Sequence, residues 1–517
     1  MGKGKRASKQ ERALEARLAE LRGLQAQAAA SALRAFEGAK QSRRTDGWLT
    51  SGRGANAELK PVLDRLIQRH QDLVDSNPWC SRAVEVICSN WIGSGIMGSS
   101  PAGAFSAFNT AYTRWAESRD CDYFGKTNFY GLQDLWTRTN VVRGSVLIRQ
   151  RIAPELRAKG LIPLQLQVME PDWLDKTRDD GTDRIFGGKQ YTAEGKLDGY
   201  YLYLSHPGEA SGMTGVQSQF VPASEILHVY DLRRPGQYTG VPFGVTAFLR
   251  ARDLDEYLST DILKQKIAAC FVGFRTKQQV GPPTTIGIGE TAATSATSEV
   301  DTFEPGAIEE LAPGESITFA TPPKADGGAD LVKTNLHAIA IAYGITYEAL
   351  TGILSDVNFS SGRMGWLEFA RNVERWRWNI TVPQALDPIG EWFSELTRIE
   401  RIRTPAKMSW TPPRRELINP KEEIGWMREA LEGGMMTLSY IQKSFGFVPS
   451  ELIQEFAEDL KALDEAGLSM YSYLLKGQGN GIKPPLTPAN PASEQPLTPA
   501  NPASEQPFTP TSSEQPA

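Results

Sequence analysis

Two helical patterns separated by a small, polar loop dominate residues 330–402. In the first, apolar residues recur at steps of four, three and four and so share one helix face: Val332, Leu336, Ile339 and Tyr343. In the second, an aromatic stripe follows one face of a longer helix: Trp366, Phe369, Val373, Trp376 and Ile380. Its arginines, Arg363, Arg371, Arg375 and Arg377, are expected to point largely away from that stripe, and Pro383 to break or kink the helix. Spacing alone favours a core role for both apolar faces.

The connecting segment runs from Thr351 to Gly362 with the sequence TGILSDVNFSSG. Its Gly, Asp, Asn and Ser residues compete for backbone hydrogen bonds and disfavour continuation of either helix. Asp356 is its only formal charge. The pattern predicts an exposed loop on a rigid helical base, with an ordinary connecting loop as the alternative.

Ahead of this region, helical and strand-like patterns alternate. A helical period follows Leu59 to Trp91, with an Asn77-Pro78 restart before an apolar face at Val84, Ile87 and Trp91. The stretch VVRGSVLIRQRI around Gly144 predicts two strands joined by a turn, and LIPLQLQVME and TDRIFGGKQYTAEGKLDGYYLYL extend them into a mixed sheet. A strand through Leu227 and Val229 then leads to a Pro-Gly turn. Helices around a buried sheet indicate an α+β body.

Beyond the sheet, a helix is predicted from Leu254 to Phe271, followed by a low-complexity span, residues 278–301, too poor in large apolar residues to form its own core. After residue 402, three helices are predicted, separated by Gly433-Gly434 and by Gly446. From Lys483 the chain repeats PLTPANPASEQ, and such proline-rich repeats are expected to be extended and unfolded.

Charge is unevenly distributed along the 517 residues. The net charge is −5, yet residues 1–53 hold 12 Lys and Arg against 5 Asp and Glu, a local charge of +7 that leaves −12 for the rest. Within this arm, residues 9–40 are rich in helix formers and predict a peripheral helix. The arm could meet nucleic acid or an acidic partner, or be a solvated tail. No signal peptide or membrane-spanning apolar run is present in the sequence.

Motifs for catalysis or metal binding are missing from the sequence. Gly125-Lys126-Thr127 resembles the end of a phosphate-binding loop, but Asp120 stands where that loop requires glycine. There is no G-x-S-x-G elbow, and Ser316 is predicted to begin a strand. The four cysteines form no C-x-x-C pair, and no two His are spaced i, i+4. We therefore expect no catalytic residue, cofactor or metal.

Several ordered strings resemble the lambda-type family of phage portal proteins. They are RHQDLVDSNPWCSRAVEVICSNWIGSGI, RRPGQYTGVPFG, PGAIEELAPGESITF, DLVKTNLHAIAIAYGITYEALTG and NFSSGRMGWLEFARNVERW. Two departures are Asp75-Ser76 ahead of Asn77, where the family tends to hold an extra Asn, and Thr239 in place of its usual Arg. The resemblance spans most of residues 30–470.

The resemblance implies the portal fold, with a mixed-sheet wing body, long stem helices, a clip excursion, a helical crown and a disordered proline-rich tail. The expected parts are a helical basic arm at 1–53, the wing at 54–250, a first stem helix at 251–271, the clip at 272–328, a second stem helix at 329–350, the tunnel loop at 351–362, the wing spine helix and a following helix at 363–412, the crown at 413–476 and the tail at 477–517.

The resemblance also implies a function: a homo-oligomeric ring of about twelve subunits at one capsid vertex, through which double-stranded DNA is packaged and ejected. Its expected partners are the large terminase subunit, the major capsid protein and head-completion or connector proteins, with assembly in the host cytoplasm and no membrane. The tunnel loop would present Ser355, Asp356, Asn358, Ser360 and Ser361 to the DNA. The alternatives are a head-associated protease or packaging NTPase, which lacks its motifs here, and a cellular DNA-binding scaffold.

Overall fold

A computed structural model describes residues 17, 20–23, 43–44, 46–100, 106–209, 217–269, 273–277, 315–319, 328–355, 357–414 and 419–466. The chain divides into two compact units, Met1–Glu451 and Leu452–Ala517. Most of the predicted arm helix, the low-complexity span at 278–301 and the repeat tail lie outside the described residues.

Helices form most of the described chain. The α-helices are α1 (Ala55–Leu59), α2 (Leu63–Ser76), α3 (Pro78–Trp91), α4 (Ser106–Glu117), α5 (Phe129–Arg143), α6 (Phe248–Ala269), α7 (Gly328–Tyr343), α8 (Tyr347–Thr351), α9 (Phe359–Trp376), α10 (Asp387–Ile399), α11 (Pro420–Glu432), α12 (Leu438–Ser444) and α13 (Pro449–Glu465). A π-helical segment, Arg377–Leu386, joins α9 to α10. Short 3-10 helices lie at Arg119–Cys121, Pro154–Lys159, Pro171–Trp173, Ala223–Glu225 and Val245–Ala247.

The strands are β1 (Met97–Ser99), β2 (Ser145–Ile152), β3 (Leu164–Met169), β4 (Ile185–Phe186), β5 (Lys189–Tyr191), β6 (Leu197–Tyr203), β7 (Ser218–Pro222), β8 (Ile226–Tyr230), β9 (Gly273–Lys277), β10 (Glu315–Phe319) and β11 (Ser409–Thr411). They form a three-stranded sheet β3-β2-β8, a four-stranded sheet β4-β5-β6-β7 and two strand pairs, β1-β11 and β9-β10. Every pairing between these strands is antiparallel. The α+β class is confirmed, with the β-structure divided among small sheets.

The sequence predicted several elements correctly. Asn77 caps α3 by accepting from the backbone N–H groups of Trp79 and Cys80, and Pro78 occupies its first position. The face formed by Val84, Ile87 and Trp91 is buried. Ser316 lies in β10, paired with Thr276 of β9. Three helices follow residue 412 with breaks at Gly433-Gly434 and Gly446, as predicted.

The predicted strand pair around Gly144 is wrong in its first half. Val141 and Val142 belong to the last turn of α5, and only the residues after Gly144 form a strand. Gly144 has φ +82 and donates its N–H to the carbonyl of Asn140, which is how a helix commonly ends. A Cβ there would lie 2.5 Å from the backbone of Val241, so a side chain would also clash. Burial of the two valines, rather than their β-propensity, decides their conformation.

Pro383 does not end the helical run that begins with α9. The chain stays helical from α9 to α10, because Pro383 lies within the wider π-helical turns. At the end of this segment the N–H of Asp387 donates to Val382, five residues back. Wider turns relieve the contact between a proline ring and the preceding carbonyl. The segment is fixed by its neighbours, since Gln384 exchanges two hydrogen bonds, of 3.0 and 3.1 Å, with the backbone of Tyr230 in β8.

Candidate tunnel loop and its support

The predicted loop is shorter than the sequence suggested. Gly352 ends α8 with φ +72 and donates its N–H to Glu348, and Asn358 caps the start of α9. Five residues, 353–357, therefore connect the two helices. Ser360 and Ser361 lie in the first turn of α9, which corrects their placement in the loop. The predicted end of the loop at Gly362 is wrong because Ser and Asn begin helices as readily as they interrupt them.

Asn358 and Ser361 form a reciprocal capping box. The N–H of Ser361 donates to Oδ1 of Asn358 over 2.8 Å, and the N–H of Asn358 donates to Oγ of Ser361 over 3.2 Å. Each bond satisfies a backbone donor that the first helical turn leaves without a partner. Both side chains therefore have a structural role, whatever they contact in an assembly.

The exposed part of the loop is more apolar than its polar residues suggest. Ile353 is 46% exposed and Leu354 is 67% exposed, and Ser355 beside them is exposed. Asp356 lies outside the described residues. The sequence reasoning overlooked the two apolar side chains, although their position directly after a helix-ending glycine was a readable signal. Arg363 is exposed in the second turn of α9 and adds a cation close to the loop.

The base of the loop is firmly packed. Leu350 of α8 is 1% exposed, and the ring of Tyr347 stacks on His337 of α7 with 4.1 Å between ring centres. Asn372 of α9 donates from Nδ2 to the carbonyl of Gly344, where α7 ends, over 3.1 Å. These contacts join three helices around the loop, which agrees with the predicted rigid base.

The two predicted apolar faces are core. Leu336, Ile339 and Tyr343 of α7 are buried, with Val332 packed against them. On α9 and the π segment, Phe369, Val373, Trp376 and Ile380 are buried and Trp366 is partly buried. Trp376 stacks on Trp91 of α3, with 5.2 Å between the ring centres, and Nε1 of Trp91 donates to Oγ1 of Thr381 over 2.7 Å.

Tyr343 and His70 form a buried polar centre. Nδ1 of His70 lies 2.8 Å from the carbonyl of Val142, which can only accept, so this nitrogen carries the proton. Nε2 of the neutral ring therefore accepts from the Tyr343 hydroxyl, also at 2.8 Å. Burial lowers the pKa of His70 to about 4 and raises the pKa of the Cys80 thiol to about 11. The centre is thus uncharged at neutral pH.

Arg377 does not point away from the core as the pattern predicted. Its Nε donates to the carbonyl of Trp91 over 2.6 Å and one Nη to the carbonyl of Asn90 over 2.7 Å. These carbonyls lie at the end of α3, where helix carbonyls have no partner within the helix and the dipole favours a cation. Burial lowers the pKa of Arg377 to about 10. Arg375, by contrast, is exposed and pairs with Asp231 over 3.5 Å.

Two sites with possible chemistry have structural explanations. The Gly125–Thr127 segment forms a turn in which the Asp122 carboxylate accepts from the backbone N–H groups of Phe124, Lys126 and Thr127. An aspartate that occupies these donors leaves no cradle for phosphate.

The side chains of Glu170, Asp172 and His206 approach within 4.8 Å of one another, as metal ligands would. Arg143, however, forms ion pairs with both carboxylates, over 3.0 and 3.3 Å. Its guanidinium already supplies the positive charge that a metal would bring.

Residues 41–377 match the family described as phage portal protein, lambda family. The chain belongs to the lambda family of phage portal proteins. Among curated relatives of this portal-family chain, the probable portal protein of Halomonas phage phiHAP-1 is 23% identical over 480 residues, covering 87% of this chain and 90% of that protein. Portal protein B of Escherichia phage lambda is 22% identical over 479 residues, covering 85% and 88%.

Two solved structures resemble this portal-family chain more distantly. A chain of the virion of a native gene transfer agent particle gives a TM-score of 0.44 at 13% identity, covering 77% of this chain and 96% of that chain. A chain from the neck of the native particle, computed with C12 symmetry, gives a TM-score of 0.43 at 12% identity, with the same coverage. Within the described residues, no helix combines the length and apolar character needed to cross a membrane.

Proposed function

We propose that this chain is a portal subunit that closes into a ring of about twelve copies at one vertex of a phage capsid. Double-stranded DNA would pass through the ring during packaging and ejection, and the protein would be a component of the virion assembled in the host cytoplasm. Membership of the lambda portal family over residues 41–377 is the observation that carries this proposal.

Exposed apolar side chains on α6 and α7, the proposed stem helices, support assembly of the chain into an oligomer. Ile341 of α7 is 76% exposed, although Leu336 and Ile339 on the same helix are buried. On α6, Leu249, Ile262 and Leu263 are between 54% and 69% exposed. Large apolar side chains grouped on exposed helix faces are typical of surfaces that neighbouring subunits cover. A ring requires two different faces to meet, and such contacts either close or grow into filaments.

The loop at 353–357 is proposed to meet DNA in the tunnel. No Lys or Arg lies among its residues, so it would not bind phosphates tightly and salt-dependently. Ile353 and Leu354 would instead make van der Waals contact with the DNA surface. The rigid base formed by α7, α8 and α9 would hold the loop against the force of DNA movement.

The chain is proposed to have no enzymatic activity of its own. Phosphoryl transfer requires a phosphate cradle and metal carboxylates, and Asp122 occupies the backbone donors of the Gly125–Thr127 turn. The large terminase subunit would supply the motor, and the major capsid protein and head-completion or connector proteins would be the other contacts. Purified chain free of terminase should release no phosphate from ATP above background. Release that Lys126→Ala abolishes would contradict this part of the proposal.

Electron microscopy of the purified full chain tests the assembly. We expect closed rings with a central opening wide enough for double-stranded DNA. Filaments or uniformly monomeric particles would contradict the proposal. A matched variant, Ile341→Asp, places a charge on the exposed face of α7 and should reduce the fraction of rings without changing the helical content of the chain.

A further inference from the structure

Lys189 is a buried lysine without a carboxylate partner among the described residues. Its side chain leaves β5 toward the interior, and only 2% of its surface is exposed. The ammonium nitrogen donates to the carbonyl of Tyr238 and lies 5.0 Å from the centre of the Tyr238 ring. Lysine is rarely buried in this way unless an anion accompanies it.

The charges around Lys189 do not compensate it. Lys60 pairs with Asp179, and Lys176 pairs with Asp64 and Asp172, so these neighbours are balanced among themselves. No carboxylate among these neighbours pairs with Lys189 itself. Desolvation, with a smaller contribution from the positive charge of Lys176, lowers the pKa of Lys189 to about 7.

Besides Lys189, the titratable side chains that line this space are Lys60, Asp64, Lys176, His228 and Tyr238. Burial, with a smaller contribution from Lys189, holds the pKa of His228 well below its ordinary value, and burial raises the pKa of Tyr238. Both are therefore neutral near pH 7. A protonated Lys189 is left as the uncompensated charge among the described residues that line this space.

Lys189 lines a cavity of about 270 Å³ between the α1–α2 segment and strands β2, β5 and β8. Its wall is apolar along Leu59, Leu63 and Leu174, with the hydroxyl-bearing side chains of Thr177 and Thr239 on its lining. At roughly 30 Å³ for each water, the space would hold about nine waters or an organic molecule of about eight non-hydrogen atoms. An apolar wall combined with convergent polar groups is typical of a small-molecule site.

A second depression adjoins this cavity and could admit a ligand. It measures about 570 Å³ and shares Asn56, Lys60 and Tyr238 with the first. Phe186 and Tyr191 also line it. A molecule with a charged head and an apolar stem could reach Lys189 from this side.

We propose that this cavity binds a small monocarboxylic acid, whose carboxylate pairs with Lys189 and whose apolar stem lies against Leu59, Leu63 and Leu174. The carboxylate supplies the missing counter-charge, and the apolar wall favours an anion with an apolar stem over inorganic phosphate. Because the bound anion favours the charged ammonium, binding above pH 7 takes up a proton on Lys189, and affinity falls as the pH rises.

Calorimetric titration of the full chain with sodium hexanoate tests the site. At pH 8.5 we expect saturable binding with a heat that depends on the ionisation enthalpy of the buffer, as proton uptake requires. Hexan-1-ol, which has the same stem without the charge, should bind at least roughly tenfold more weakly. Absence of saturable heat up to about 20 mM hexanoate, or equal binding of the alcohol, would overturn the proposal.

Two variants separate the site from a general effect. Lys189→Met should reduce hexanoate affinity by at least roughly tenfold, and its melting temperature should equal or exceed that of the wild type because a buried cation has been removed. Lys196→Met removes a lysine that is 80% exposed and directly precedes β6, the strand paired with β5. This variant should bind hexanoate as the wild type does. Unchanged affinity in Lys189→Met would refute the assignment. If Lys189→Met does not fold, saturation-transfer NMR of the wild type with hexanoate and hexan-1-ol decides by the same criterion.

Discussion

The hydroxyl of Tyr343 lies 2.8 Å from Nε2 of His70, and both side chains are buried. The two residues are far apart in sequence, and they join α7, which precedes α8 and the loop at 353–357, to α2. His70 also stacks on Phe248 at the start of α6, with 4.8 Å between ring centres. One neutral imidazole thus connects three helices.

Tyr343→Phe should destabilise the chain by about 1–3 kcal/mol, because Nε2 of His70 would remain buried without a donor. The midpoint of urea unfolding measures the effect. Tyr440→Phe removes the hydroxyl of a tyrosine that is 60% exposed and should leave the midpoint unchanged. Equal midpoints for Tyr343→Phe and the wild type would show that the hydrogen bond contributes nothing.

His70 should make the fold acid-sensitive. Burial lowers the pKa of His70 from its ordinary value of 6.5 to about 4 in the folded chain, so below pH 6.5 the unfolded chain takes up a proton that the folded chain excludes. The contribution of neutral His70 to the free energy of unfolding is fully present above pH 6.5. It is lost as the pH falls toward 4, by about 2 kcal/mol at pH 5. The Cys80 and Tyr343 groups beside it have raised pKa values and do not titrate in this range.

Comparison with His70→Gln separates the acid-induced loss of stability caused by His70 from the loss caused by titrating carboxylates. The amide can still donate to Val142 and accept from Tyr343, but it does not titrate. Unfolding free energies at pH 7 and pH 5 should show a smaller loss for His70→Gln than for the wild type. Parallel losses in the two proteins would mean that His70 is not responsible.

Arg377→Met should lower stability by about 1.5–3 kcal/mol, because two carbonyls at the end of α3 lose a charged donor. Arg371→Met is the matched control, since Arg371 is exposed on α9. Thermal unfolding of both variants measures the difference. Arg377→Lys should recover only part of the loss, because lysine lacks the two-pronged geometry that reaches both carbonyls.

The sequence predicted the faces that bury large side chains but not the residues that act through single contacts. The stripe from Trp366 to Ile380 follows directly from helical spacing. Arg377 lies beside that stripe, and its charge predicts a surface position. It instead donates to carbonyls at the end of α3, a contact that local sequence does not indicate. Val141 and Val142 have strand propensity but are buried in a helix, and Lys189 has nothing in its local sequence that indicates burial. Long-range contacts decide these cases, and spacing along the chain does not contain them.

The loop can be tested with its two exposed apolar residues. Ile353→Ser combined with Leu354→Ser should leave folding and assembly unchanged, since both side chains are largely exposed, while particles retain less packaged DNA. Ile152→Ser is the control, an exposed isoleucine (53%) at the end of β2. Normal DNA retention in the double variant would show that the loop only connects α8 to α9.

Asn358 and Ser361 require a different interpretation. Replacing both with glycine should lower stability by about 1–2 kcal/mol through loss of the capping box. A loss of packaging in that variant could not be assigned to DNA contact. Ser355→Gly, in the exposed part of the loop, should leave thermal stability unchanged and is the cleaner test of a polar contact.

The central claim is that the chain closes into a ring, and analytical ultracentrifugation of the purified full-length protein at micromolar concentration tests it most directly. We predict one dominant species of about twelve subunits that persists on dilution, with a frictional ratio consistent with an open ring. A stable monomer under the same conditions would contradict the account.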